Sequence, residues 1–135
     1  ACDENRAQHR AAGAIAAVCE EEASRQGLKL VIATVDDGGH LILLHRKVSS
    51  QVGSVEIITL KARTAVLFRR HTKNFRDVVE DQGRLALLCI PNGIPLDGGV
   101  PLKAGDEIIG AIGLSGARDD VDGDIGGPGA SSFSR

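Results

Sequence analysis

The chain has 135 residues, a formal net charge of −2, and three phenylalanines as its only aromatic residues. That length supports a single domain with its own core. The near-zero charge gives no electrostatic footing for nucleic acid, the absence of Tyr and Trp leaves few stacking platforms for bases or sugars, and no apolar run approaches the length of a membrane span.

The first element is expected to be a helix from about Asn5 to Gln26. Ala7, Ala11, Ile15 and Val18 form its narrow apolar stripe, Glu20, Glu21 and Glu22 its solvated end, and Gly27 a natural stop. Leu28 to Val35 reads as a strand apolar on both faces. Asp36-Asp37-Gly38-Gly39 is a hairpin turn, and His40 to Lys47 the return strand.

Ser54 to Phe68 is expected as one helix with two stripes. Val55, Ile58, Ala62, Ala65 and Val66 follow one face; Ile57, Lys61, Thr64 and Phe68 lie almost opposite. A helix apolar on two sides is packed on two sides. Lys61 sits within the second stripe, where a cation is costly unless it snorkels, is paired or meets an anionic ligand. A short helix follows, with Thr72 or Asn74 as its cap.

Leu85 to Ile90 fits helix or strand equally. Pro91 to Pro101 reads as turns and short extended pieces, and Leu102 to Glu107 as a hairpin turn region. Ile108 to Ser115 is a strand, in which Gly110 and Gly113 imply close approach of a backbone or ligand. Gly126-Gly-Pro-Gly129 is unsuited to a helix interior, and the end of the chain is expected to be poorly ordered. The order of elements predicts an α+β domain, an antiparallel sheet with helices on one side. One domain over 1–122 and a Gly-rich tail over 123–135 complete the division. The three cysteines lack metal-ligand spacing, and Cys19 and Cys89 read as small core residues. Their odd number suits a reducing compartment, so the expected location is cytoplasmic, although a chain starting at Ala1 is also compatible with a removed leader.

Several short motifs now line up. Val35-Asp-Asp-Gly-Gly-His-Leu41 is followed by Arg46, then Ser54-x-Glu56-x-x-x-x-Lys61-Ala-x-Thr64-Ala-x-x-Phe68-x-x-x-Thr72. Gly98-Gly-Val-Pro101 and Ile109-Gly-Ala-Ile-Gly-Leu-Ser-Gly-Ala117 complete the pattern. In this order and spacing the chain resembles the GlcG/HbpS family, related to the C-terminal domain of PduO. The resemblance implies a profilin-like two-layer domain with a five-stranded antiparallel sheet flanked by helices. It also implies a homo-oligomer, from dimer to octamer, and haem or another tetrapyrrole as a candidate ligand, since some members bind or degrade haem. Two segments depart from the family pattern. Arg46-Lys-Val-Ser-Ser-Gln51 stands where Arg-Met-Asp-Gly-Ala is usual, and Asp122-Gly-Asp-Ile-Gly-Gly-Pro-Gly129 where a closing helix is usual, so that last element is expected as a loop.

The candidate site follows from both readings. Lys61 would anchor a carboxylate, with Thr64 as hydrogen-bond donor and Glu56, Phe68 and Thr72 beside it. Gly98, Gly99 and Val100 would rim the same pocket, either as an anion-binding nest or as a plain turn. Lys61 equally fits a structural lysine that reaches a carbonyl or a partner-subunit acid. His45 and Arg46 end the second strand; with Lys61 they would serve a cofactor-free enzyme acting on a small anionic metabolite. A lone strand-end histidine reads first as solvated, and His71 at a helix end likewise. The aspartates at 36, 37, 119, 120, 122 and 124 lack the ligand order of a calcium loop, so no metal site is expected. The readings are therefore a small-molecule-binding protein, an enzyme, or an oligomeric scaffold.

Overall fold

The computed structural model describes residues 2–116 and 126–127. In chain order the elements are α1 (Cys2–Arg25), β1 (Val31–Asp36), β2 (Leu41–Arg46), α2 (Ser54–Phe68), α3 (Thr72–Gln82), a 3-10 helix (Leu85–Cys89), β3 (Gly99–Ala104) and β4 (Glu107–Ser115). The strands pair antiparallel in the order β2–β1–β4–β3. The described residues thus hold four strands where five were expected.

Side-chain alternation divides the core. Ile32, Val100, Leu102, Ile112 and Leu114 point to one face and meet Ile15, Ala16, Cys19 and Ala23 of α1. Val31, Ala33, Val35 and Ala111 point to the other, against Ile58, Ala62, Ala65 and Val66 of α2. Helices therefore flank both faces, and the expectation of helices on one side of a two-layer domain is corrected to three layers. The cause lies in β1, whose first five residues are all buried. A strand apolar on both faces needs cover on both.

α2 approaches the sheet at glycines. A Cβ on Gly113 would fall on the Ile58 carbonyl oxygen and 3.0 Å from the Ala62 nitrogen; one on Gly99 would strike the Lys61 carbonyl oxygen and lie 2.5 Å from Thr72 Cγ2. Helix backbone lies directly on strand backbone, which only glycine permits. α2 ends where Arg69 takes the left-handed conformation (φ 55°) and its N–H turns back to the Ala65 and Val66 carbonyls.

Four local expectations change. On α1 the buried stripe is Ala12, Ile15, Ala16, Cys19 and Ala23, while Ala7 is exposed and Ala11 and Val18 are half-buried; the helix is rotated about Ile15, which stays in the stripe. Leu85–Cys89 is neither α-helix nor strand but a 3-10 helix with no buried residue, which leaves Cys89 exposed, not in the core. β3 runs through Pro101, tolerated because β3 is an edge strand, and the turn shrinks to Gly105 and Asp106. Gly126 and Gly127 are helical where a loop was expected, and a Cβ on Gly126 would lie 2.7 Å from Leu114 Cδ1 and 2.9 Å from Val100 Cγ2; packing overrides propensity at Gly126, whereas a Cβ on Gly127 would meet nothing within 4 Å. The rest of the segment after Ala117, including the boundary at 122 and the tail, lies outside the described residues.

Candidate functional site

Where α2 and α3 meet the segment leading into β3, five polar side chains converge. Lys61 is fully buried, and its Nζ donates to the Leu114 carbonyl at 2.9 Å. Leu114 in turn donates its own N–H to the Gly98 carbonyl at 3.0 Å. Thr64 Oγ1 donates to the Leu60 carbonyl at 2.7 Å and accepts the Ile94 N–H at 3.0 Å. Thr72 Oγ1 accepts the Gly99 N–H at 2.8 Å. Asp97, 3% exposed, accepts the Gly98 N–H at 2.7 Å and faces Arg76 Nη1 at 3.5 Å. The second stripe of α2 is thus packed as two-sidedness requires, but its polar members are engaged with backbone. They hold Ile94 to Gly99 against the helix.

Two of these residues, Asp97 and Arg76, are not evident as site residues from the sequence. Asp97 directly precedes the Gly98-Gly99 pair, and Arg76 stands one turn beyond Thr72 on α3, a pairing that only the tertiary fold reveals. Burial raises the Asp97 carboxyl above the usual carboxylate range, opposed by the Gly98 N–H and by the charges of Arg76, Lys73 and Lys61. A carboxyl with a raised folded pKa contributes stability below its unfolded value, and that stability is lost as pH rises through the folded one. Wild-type protein should therefore lose part of its stability as pH rises from about 4 upward through the raised value, while Asp97→Asn should lack that component. Thermal melts of both proteins from acid to neutral pH check this; parallel curves would remove Asp97 as the source.

The remaining candidates are scattered. Glu56 is exposed in the first turn of α2, where an acid suits the helix dipole. Phe68 is 39% exposed at the far end and meets Phe75 edge-on, with ring centres 5.2 Å apart. Val100 is buried on the opposite face of the sheet, toward α1. His45 faces α1, its Nε2 3.3 Å from Glu20 Oε1, and Arg46 is exposed at the end of the edge strand β2. The sheet stands between His45 and Lys61, so the fold does not bring the three proposed catalytic groups together. Among the described residues, no group of three or more His, Cys, Asp or Glu is placed to hold a metal ion, and no helix is long and apolar enough to cross a membrane.

A family model described as "Haem degrading protein HbpS-like" matches residues 8–130. The chain belongs to the HbpS-like family. Among curated proteins, Protein GlcG of Escherichia coli K12 is 42% identical over 104 residues, 77% of each chain. A 15.0 kDa protein from the dhaT–dhaS intergenic region of Citrobacter freundii is 31% identical over 115 residues, covering 83% of this chain and 81% of its own. Among solved structures, HbpS superposes with a TM-score of 0.86 at 27% identity, over 94% of this chain and 89% of that one. A haem complex of PduOC shares the fold, with a TM-score of 0.81 at 24% identity over 91% of both chains. The motifs around Lys61 and Gly98-Gly99 in this HbpS-like chain are therefore the ones that fold into the buried polar cluster.

Proposed function

We propose that this chain is a small-molecule-binding protein of the GlcG/HbpS type, with haem or another tetrapyrrole as its first ligand class. The observation that carries the reading is the HbpS-like match along residues 8–130. The site we assign lies where α2 faces Gly98 and Gly99, with Lys61 as anchor, Thr64 and Thr72 as positioning hydroxyls, Glu56 and Phe68 at the two ends of the helix, and Val100 behind the strand on the α1 face. Lys61, Lys73 and Arg76 stand around the Asp97 carboxylate, with Arg76 shared between Asp97 and Asp77, so Lys61 is the cation we assign to a propionate. The haem complex of PduOC supports the same ligand class on this fold.

Haem titration of the purified protein tests the reading. A shifted Soret band saturating at micromolar haem is expected; an unshifted band removes the tetrapyrrole. We also read the chain as a homo-oligomer. Leu85 (65% exposed) and Leu88 (56%) on the 3-10 helix support a subunit contact, and a native mass spectrum would report the assembly and any retained ligand together.

A further inference from the structure

The Lys61 site is closed. Lys61 and Thr72 are fully buried, and Thr64 and Asp97 are 2% and 3% exposed. A ligand reaches the Lys61 ammonium only after some element moves. Helices and strands are held by their own backbone ladders, whereas residues 94–97 make no backbone–backbone hydrogen bond among the described residues. This piece runs along the Lys61 face of α2: the Ile94 N–H is held by Thr64, one turn beyond Lys61, and the Lys61 charge acts on the Asp97 carboxyl.

Two side-chain ties hold the piece in place. Thr64 Oγ1 accepts the Ile94 N–H at 3.0 Å, and Arg76 Nη1 stands 3.5 Å from Asp97 while Arg76 Nη2 is closer to Asp77, at 3.0 Å. Ile94, Pro95 and Leu96 are only half-buried. Both ends suit a hinge. On one side, Asn92 (φ 56°) and Gly93 form a turn onto the 3-10 helix, which has no buried residue to anchor it. On the other, Gly98 takes φ 119°, a conformation that favours glycine. Beyond that hinge the chain is fixed, because Thr72 holds the Gly99 N–H and the Leu114 N–H holds the Gly98 carbonyl. Pro95 stiffens what lies between. A half-buried segment with no ladder of its own opens locally, below the free energy of global unfolding.

We propose that residues 94–97 form a strap that opens as a unit about Gly93 and Gly98 and admits an anionic ligand to Lys61. Opening breaks the Thr64–Ile94 hydrogen bond and the long Arg76–Asp97 ion pair, and leaves β3 paired with β4. The role as a gate rests on Lys61 as the ligand anchor; the motion itself does not.

The test uses the whole protein without ligand. Amide hydrogen exchange should show Ile94 at least about hundredfold less protected than Gly99 and the central strand β1. An amine-reactive acyl reagent should label Lys61 through the same opening, far more slowly than the exposed Lys47 but at a rate that low urea leaves unchanged. Thr64→Val, of the same shape, removes the acceptor and should speed Lys61 labelling about five- to tenfold, the worth of one hydrogen bond. The two wild-type measurements decide the matter if that variant does not fold. Ile94 as protected as Gly99, Lys61 labelled only as fast as the whole protein unfolds, or an unchanged labelling rate in Thr64→Val each overturns the proposal. Labelling through local opening in a protein that binds no haem supports the strap and removes only the tetrapyrrole.

Discussion

Gly113→Ala is expected to prevent folding or to lower the melting temperature by at least about 10 °C. The added methyl group would coincide with the Ile58 carbonyl oxygen and press on the Ala62 nitrogen. Both are helix backbone, so no side chain can rotate away. Gly113 lies on β4, paired with Ala33 on one side and Gly99 on the other, so the strand cannot retreat without breaking two ladders. Overpacking of this kind costs about 3 kcal/mol or more when neither surface gives way. Gly13→Ala is the contrasting case. It stands exposed on α1, and a methyl group added there would meet nothing within 4 Å, so alanine should add about 0.5–1 kcal/mol through helix propensity. Circular dichroism melts of the two variants read both effects. A Gly113→Ala protein melting within about 2 °C of wild type would mean that α2 can lift from the sheet, contrary to the backbone contact.

That contact was half legible in the sequence. Glycines at 110 and 113 in an otherwise apolar strand announce a close neighbour, and the neighbours prove to be backbone: Val35 at Gly110, and α2 at Gly113. The hairpin, α2 and β4 were likewise readable, because turn chemistry and periodicity are local. The layer count was not. Strand β1 is apolar on both faces, which signals cover on both, yet the order of elements points to helices on one side. β3 escaped because a glycine pair and Pro101 read as turns, whereas at an edge Gly99 pairs with Gly113 and Pro101 with Ala111 in a strand. On α1, several alanine stripes have nearly equal hydrophobicity, so rotation about the helix axis is undetermined until the sheet selects the face. In the candidate site, Lys61 and Thr64 stand out in the sequence as polar residues on an apolar stripe, and Thr72 as a cap candidate and a position of the family pattern. Their partners are backbone atoms of Leu114, Ile94 and Gly99, and backbone partners distant in sequence leave no residue-type signal.

Lys61 carries the second large effect. Its ammonium is buried with a hydrogen bond to the Leu114 carbonyl, and its stem is buried with it. Lys61→Ala removes the donor and leaves a void, at an expected cost of about 3–5 kcal/mol. Lys61→Met keeps most of the stem volume and loses only the donor and charge, at about 1–3 kcal/mol. Met is therefore the informative variant, because it should fold. Under the proposed function it should also bind haem about tenfold more weakly at a temperature well below its melting point; wild-type affinity in folded Lys61→Met would leave the lysine a purely structural role. A second consequence separates charge from packing. The Lys61 charge is one of those opposing the raised Asp97 pKa, so removing it should lift that carboxyl further and steepen the loss of stability as pH rises through it. Lys61→Met combined with Asp97→Asn should then recover part of the loss seen in Lys61→Met at neutral pH. Strict additivity of the two changes, measured as a double-mutant cycle, would show that lysine and carboxylate do not interact.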